Sequence, residues 1–100
     1  MSELFSLQGE VALITGASRG IGRSIAEMLG KQGATVIGTA TSEKGALAIT
    51  EYLVAAGIKG EGKVLDVANS ESIEILVTGL TKEHGGVSIL VNNAGITRDN

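Results

Sequence analysis

The sequence contains no cysteine, no proline and no tryptophan, and it has a single histidine. The absence of cysteine excludes disulfides and thiolate metal sites, and one histidine cannot form a histidine-based metal cluster, so we expect no metal. One Phe and one Tyr are too few for the stacking platform that single-stranded nucleic acid needs. The balance of 8 basic against 11 acidic residues also excludes a nucleic-acid surface built on bulk charge.

Long apolar runs are absent as well. The longest, 52–58, falls well short of the roughly 18 residues of a membrane span, and the first five residues lack the features of a signal peptide. We therefore expect a soluble cytoplasmic protein with no membrane association. With 43% apolar residues among 100, the chain can build one small core, and most of its 15 glycines fall at or near the ends of predicted elements.

Short β-rich runs alternate along the chain with segments of helical periodicity. The predicted strands are 11–14, 36–37, 64–65 and 89–91. The predicted helices begin near Ile21, at Ser42, and at Asn69 or Ser70, and they end near Gly33, Gly57 and Gly85. This alternation predicts a Rossmann-type α/β fold, a doubly wound parallel sheet in three α/β/α layers with strand order 3-2-1-4. The first two helices are then expected on one face of the sheet and the third on the other.

The strongest functional signal is the glycine-rich turn between the first strand and the first helix. Its spacing, Gly16-x-x-x-Gly20-x-Gly22, differs from G-x-G-x-x-G and from the P-loop. Glycine permits positive φ and close approach of the backbone, and a helix N-terminus attracts phosphate. A turn without a ligand is the alternative, but three glycines between a buried strand and an amphipathic helix favour a phosphate site.

Two motifs together resemble those of the short-chain dehydrogenase/reductase family. They are Thr15-Gly16-x-x-x-Gly20-x-Gly22 and Asn92-Asn93-Ala94-Gly95. The stretches 16–23, 36–43 and 92–100 are similar, more specifically, to the bacterial 3-oxoacyl-[acyl-carrier-protein] reductases within that family. The resemblance implies NADPH-dependent reduction of a 3-oxoacyl group on acyl carrier protein to the 3-hydroxyacyl product in fatty acid synthesis, by a homotetramer.

The predicted cofactor is NADPH rather than NADH. An NAD-binding unit places Asp or Glu after the second strand, whereas Ala40 and Thr41 stand there in this chain. Glu43 is better explained as an acid in the first turn of the second helix. A cation at a helix N-terminus is unfavourable without an anion, so Arg19 is predicted to grip the 2′-phosphate, as the resemblance also implies, with help from Thr41.

The residues after the third and fourth strands complete the predicted site. The resemblance implies that Asp66, with Val67 beside it, accepts from the adenine amino group, although a loop aspartate is an equally good interpretation from the residues alone. One of Asn92 and Asn93 is expected to tie loops together, and the other to line the adenosine or ribose side. The predicted cofactor-binding residues are Gly16, Ala17, Ser18, Arg19, Gly20, Ile21, Gly22, Thr41, Asp66, Val67, Asn93, Ala94 and Gly95.

Catalytic residues cannot be assigned in this chain. The resemblance implies a Tyr-x-x-x-Lys pair, a Ser and an Asn, but Tyr52 is followed four residues later by Ala56, so it is expected to pack inside the second helix. We expect residues 1–100 to be the N-terminal dinucleotide-binding part of a single Rossmann domain that continues beyond them. The alternatives are another NADPH-dependent short-chain carbonyl reductase and a non-catalytic dinucleotide-binding module.

Without a Tyr-x-x-x-Lys pair, this chain is predicted to be inactive on its own. The purified 100-residue chain alone should not reduce a 3-oxoacyl thioester, because it offers no proton donor for the carbonyl. NADPH oxidation followed by absorbance, against a heat-killed control, measures this. Turnover above that control would contradict the prediction.

Overall fold

A computed structural model describes residues 6–94 of the chain and contains an alternating set of strands and helices. The strands are β1 (Val11–Ile14), β2 (Thr35–Ala40), β3 (Gly60–Val64) and β4 (Ile89–Val91). The helices are α1 (Gly20–Lys31), α2 (Glu43–Ala55) and α3 (Ser70–His84). The strands pair in parallel in the order β3-β2-β1-β4, which confirms the predicted Rossmann-type topology.

The sheet separates two hydrophobic cores, because alternate side chains of β1 point to opposite faces. Ala12 and Ile14 belong to the larger core, which also contains Ala26 of α1 together with Ile49 and Leu53 of α2. The other face carries a smaller core, whose buried members are Val11, Leu13, Ile37 and, from α3, Leu80. The predicted distribution of the helices, two on one face and one on the other, is therefore confirmed.

Side chains at the predicted starts of the second and third helices cap α2 and α3. The Ser42 Oγ accepts a hydrogen bond from the Gly45 amide at 3.0 Å. The Asn69 Oδ1 accepts from the amides of Glu71 at 2.9 Å and Ser72 at 3.2 Å. These side chains satisfy amides that the first turn of a helix leaves without a partner.

The third strand differs from its predicted position. It runs from Gly60 to Val64 and pairs with β2 from Val36 to Ala40, whereas the sequence predicted residues 64–65. Leu65 lies just beyond the strand, is buried, and donates its amide to the Ala40 carbonyl at 2.9 Å. The strand carries two glycines and two charged residues, so hydrophobic pattern alone places it too late in the chain.

All four strands end at the same edge of the sheet because they are parallel. The segments after them, 15–19, 41–42, 65–69 and 92–94, therefore meet along that edge, which is where ligands bind in open parallel sheets. Across residues 6–94, every helix is too short or too polar to cross a membrane.

Candidate functional site

Helix α1 begins without the capping that the other two helices have. Its N-cap residue, Arg19, is extended at φ −163° and ψ 174° and makes no side-chain cap, and the first turn of the helix holds no acidic residue. Glu43 and Glu71 occupy the first turns of α2 and α3. Within residues 6–94, the amides of Gly20, Ile21 and Gly22 donate to no acceptor. The positive end of α1 and its unpaired donors therefore face the edge of the sheet.

The start of α1 lies directly against the turn that follows β1. A Cβ on Gly22 would overlap the Gly16 carbonyl and would lie 2.8 Å from the Asn93 Nδ2. Only glycine fits at this position. A Cβ on Gly16 would in turn lie 3.1 Å from the Cα of Ala94. The two glycines thus bring the turn, the helix and the segment after β4 into direct contact.

Hydrogen bonds join the turn after β1 to the segment after β4. The buried Thr15 hydroxyl donates to the Asn92 Oδ1 at 3.3 Å and accepts from the Ala94 amide at 3.0 Å. The Asn93 Nδ2 donates to the Gly16 carbonyl at 3.0 Å. Both asparagines therefore tie loops together, whereas the sequence predicted this role for only one of them.

A second set of hydrogen bonds joins the turn to β2 and α2. The Gly16 amide donates to the Thr39 Oγ1 at 3.3 Å, and the Ala17 amide donates to the Thr39 carbonyl at 2.8 Å. The Tyr52 hydroxyl donates to the Ala17 carbonyl at 2.6 Å. The first two amides of the turn are thus used inside the protein, and those that follow are left for the open side.

Burial, together with the nearby Glu27 carboxylate, raises the pKa of Tyr52 to about 12, and the Arg23 guanidinium opposes the rise. The Arg23 guanidinium lies over the Tyr52 ring, 4.5 Å from its centroid, and its Nε is 3.2 Å from the Glu27 Oε2. The Tyr52 hydroxyl therefore remains protonated, and able to donate, across the neutral and moderately alkaline range.

The structure brings most of the predicted residues together at this edge. Residues 16–22, 93 and 94 form the turn, the start of α1 and the segment packed against them, with Arg19, Gly20 and Ile21 exposed. Gly95 lies outside the described residues.

Three further predicted residues lie at the same edge but stand apart from the turn. Thr41 is exposed immediately after β2. Asp66 and Val67 are exposed after β3, and the Asp66 Oδ1 accepts from the Ala68 amide at 3.0 Å. Among residues 6–94, no hydrogen bond joins these three to the turn.

Three polar residues that shape the turn were not predicted as site residues, although Thr15 belongs to the quoted motif. Thr15, Thr39 and Tyr52 are all buried, and each holds turn or loop backbone through its hydroxyl. They could have been identified from their chemistry, because a buried hydroxyl needs a hydrogen-bonding partner and because Thr15 and Thr39 lie at or near strand ends.

One group of potential metal ligands lies away from this edge. Glu61, Glu83 and His84 come within 4.8 Å of one another among the described residues. The Lys63 Nζ lies 3.4 Å from the Glu61 Oε2 and 3.9 Å from the Glu83 Oε1. The lysine ammonium supplies the positive charge that balances these carboxylates, so the group carries no argument for a metal centre.

Comparison with known proteins shows the family of the chain. The sequence model of a family described as short chain dehydrogenase matches residues 10–100. The chain is 63% identical over 95 residues to the 3-oxoacyl-[acyl-carrier-protein] reductase FabG of Vibrio cholerae, and 58% identical over 95 residues to that of Escherichia coli K12. Each alignment covers 95% of this chain and 38% of the relative. The chain thus spans about two fifths of the length of these curated relatives.

The glycine turn supports a prediction with a matched control. Gly20 has φ +64° and no atom within 4 Å of a Cβ position, and Gly57, at the opposite end of the sheet, has φ +72° with equally open space. In the whole protein, Gly20→Val and Gly57→Val should each lose about 1–2 kcal/mol of stability from the left-handed backbone. Only Gly20→Val should abolish NADPH binding, because its side chain would occupy the open space at the uncapped start of α1.

Fluorescence titration with NADPH, together with thermal unfolding of both variants, checks this prediction. The phosphate site would have to lie elsewhere if Gly20→Val bound NADPH as the wild type does. It would also be in doubt if Gly57→Val lost binding to the same extent.

Proposed function

Because the chain belongs to the short-chain dehydrogenase family, we propose that this edge of the sheet holds the pyrophosphate and adenosine half of NADPH. The observation that carries the proposal is the uncapped start of α1. That helix has unpaired amides and no acid in its first turn, while α2 and α3 have both a side-chain cap and an acid. A pyrophosphate placed there would supply the acceptors and the negative charge that the sequence withholds.

The fit of a dinucleotide depends on the shape of the turn. The space above Gly20 is open, and the inner amides of Gly16 and Ala17 are already bonded to Thr39. Phosphate oxygens can therefore approach the outer amides without competing for the inner ones. We assign this role to residues 16–22, with Gly16 and Gly22 supporting the turn from within.

Charge at the edge favours NADPH over NADH. Ala40 is buried at the end of β2 and Thr41 is exposed after it, so no carboxylate stands where the ribose 2′-hydroxyl would be recognised. Glu43 is the first residue of α2, beside the Ser42 cap. Arg19 places an exposed cation at the start of α1, a position that is unfavourable unless an anion is bound. We propose that Arg19 and Thr41 bind the 2′-phosphate.

The adenosine side is proposed at the ends of β3 and β4. Asp66 is exposed, and one of its carboxylate oxygens already accepts from Ala68, which leaves the other to accept from the adenine amino group, with Val67 beside it. Asn93 uses its Nδ2 to hold Gly16, so its contribution to the cofactor would come from its remaining oxygen or its backbone. Ala94 continues this wall of the site. Gly95, which lies outside the described residues, is assigned to the cofactor by the family resemblance alone.

For the whole protein we propose reduction of a 3-oxoacyl group on acyl carrier protein to the 3-hydroxyacyl product in fatty acid synthesis. Relatives that bear the name 3-oxoacyl-[acyl-carrier-protein] reductase at 58–63% identity support this proposal. When bound, NADPH supplies the hydride for the keto carbon. This chain's residues contribute binding and orientation of the cofactor. A homotetrameric state and a cytoplasmic location are proposals supported by the family resemblance alone.

The proposed activity is tested in the whole protein with two substrates. We expect NADPH oxidation with a 3-oxobutanoyl thioester of acyl carrier protein, and much slower oxidation with a simple ketone of similar size. Equal rates on both substrates would favour another short-chain carbonyl reductase. Normal NADPH binding with no oxidation of NADPH by either substrate would favour a non-catalytic dinucleotide-binding module.

Cofactor preference supplies a further prediction. Arg19→Ala should weaken NADPH binding by about tenfold to hundredfold and should leave NADH binding nearly unchanged. This loss is the equivalent of a charge-assisted hydrogen bond of about 1.5–3 kcal/mol. Lys31→Ala, at the other end of α1, removes the same charge and should change the binding of neither cofactor. Without cofactor, Arg19→Ala should be as stable as the wild type or slightly more stable, since a cation leaves the helix N-terminus.

The ratio of kcat/KM for NADPH and NADH, measured in the wild type and in both variants, tests the cofactor preference and the role of Arg19. A wild type that prefers NADH would contradict the assignment of NADPH. Equal losses for both cofactors in Arg19→Ala would show that Arg19 does not read the 2′-phosphate.

A further inference from the structure

We propose that Tyr52 is a positioning residue of the cofactor site, which fixes the peptide between Ala17 and Ser18 so that the Ser18 amide points to the open side of the turn. The inference rests on the proposed function, because it concerns how the turn receives NADPH. It assigns a role to a residue on α2 that lies 35 positions from the turn in sequence.

The hydrogen bond itself is short and shielded from water. The Tyr52 hydroxyl lies 2.6 Å from the Ala17 carbonyl oxygen, and the tyrosine is only 8% exposed. Ala17 is fully buried in the same core. Within that core, water has little access to replace the hydroxyl as a donor to the carbonyl.

Both ends of Ala17 are held, and this determines where the next amide points. Its amide donates to the Thr39 carbonyl at 2.8 Å, and its carbonyl accepts from Tyr52. In a planar trans peptide the carbonyl and the following N–H point in opposite directions. The Ser18 N–H is therefore directed away from Tyr52, and it donates to no acceptor among residues 6–94.

The surroundings of Tyr52 keep its hydroxyl in place and protonated. Its ring packs in the core with Ile49 and Leu53, and Arg23 of α1 covers it at 4.5 Å while pairing with Glu27. The raised pKa of the phenol keeps the proton on the oxygen at any pH at which the enzyme would work. The donor is thus permanent, and it links α1, α2 and the turn.

Loss of this hydroxyl should affect cofactor binding through preorganisation. Without its partner, the Ala17 carbonyl would rotate toward another donor, and the Ser18 amide would rotate with it. Binding NADPH would then require the peptide to turn back, and the free energy of that step would be taken from the affinity. Substrate binding and the chemical step would be unaffected.

The test uses Tyr52→Phe in the whole protein, with Thr50→Val as the matched control. Thr50 is on the same helix and also holds backbone through its hydroxyl, accepting from the Gly62 amide at 2.9 Å, but it does not touch the turn. We expect Tyr52→Phe to raise the KM for NADPH by about tenfold, with kcat and the KM for the 3-oxoacyl thioester unchanged. Thr50→Val should lower the Tm and leave all three kinetic constants at their wild-type values.

Replacement of Tyr52 by 3-fluorotyrosine, which retains the hydroxyl, should keep the wild-type KM for NADPH. That result would show that the effect of Tyr52→Phe comes from loss of the hydroxyl. An unchanged KM for NADPH in Tyr52→Phe would overturn the inference alone, as would a parallel change in kcat and both KM values, or an equal rise in Thr50→Val. Failure of the wild type to bind NADPH would overturn the proposed function, and this inference with it.

Discussion

The contact between Gly22 and the Gly16 carbonyl fixes where α1 begins, and the rest of the site depends on it. A side chain at position 22 would overlap that carbonyl, so any larger residue would push the helix away from the turn. With the helix displaced, the uncapped amides would no longer lie beside the turn. The Asn93 side chain, which reaches the same carbonyl, would also lose the position from which it holds the segment after β4.

The turn separates its backbone amides into two groups with different uses. Those of Gly16 and Ala17 donate to Thr39, and the Ala17 carbonyl accepts from Tyr52. Those at the start of α1 donate to no acceptor among residues 6–94. Leaving several amides without partners is unfavourable for a helix start in isolation, and the other two helices avoid it with caps. The proposed anion site would give α1 a physical reason to differ.

The sequence was sufficient for features that depend on local chemistry. The structure confirms the apolar strand β1 and the positions of the helices, which follow from propensity and periodicity. The predicted helix starts at Ser42 and Asn69 follow from the capping preferences of these residues. The strand order follows from right-handed crossovers and is also confirmed.

Features that depend on contacts distant in sequence could not be predicted. The residues of β3 form a strand because β2 offers a pairing edge and α2 lies so close that a Cβ at position 62 would overlap the Ala46 carbonyl. The hydrophobic pattern of the sequence does not indicate that contact. The bond from Tyr52 to Ala17 likewise joins residues 35 positions apart, and a tyrosine within a helix reads first as a packing residue.

The two faces of the sheet support the two halves of the site unequally. The turn is anchored by the contact between Ala17 and Tyr52, both of which belong to the larger core under α1 and α2. The segment with Asp66 and Val67 leads into α3, whose side of the sheet has the smaller core and leaves Leu90 64% exposed. If a dinucleotide binds as proposed, a turn held in this way would lose little entropy on binding, so it would supply affinity common to any dinucleotide. Discrimination between NADPH and NADH would then come from exposed side chains at the edge of the sheet. Arg19 is such a side chain, and it lies where its charge is favourable only when the ligand brings a negative charge.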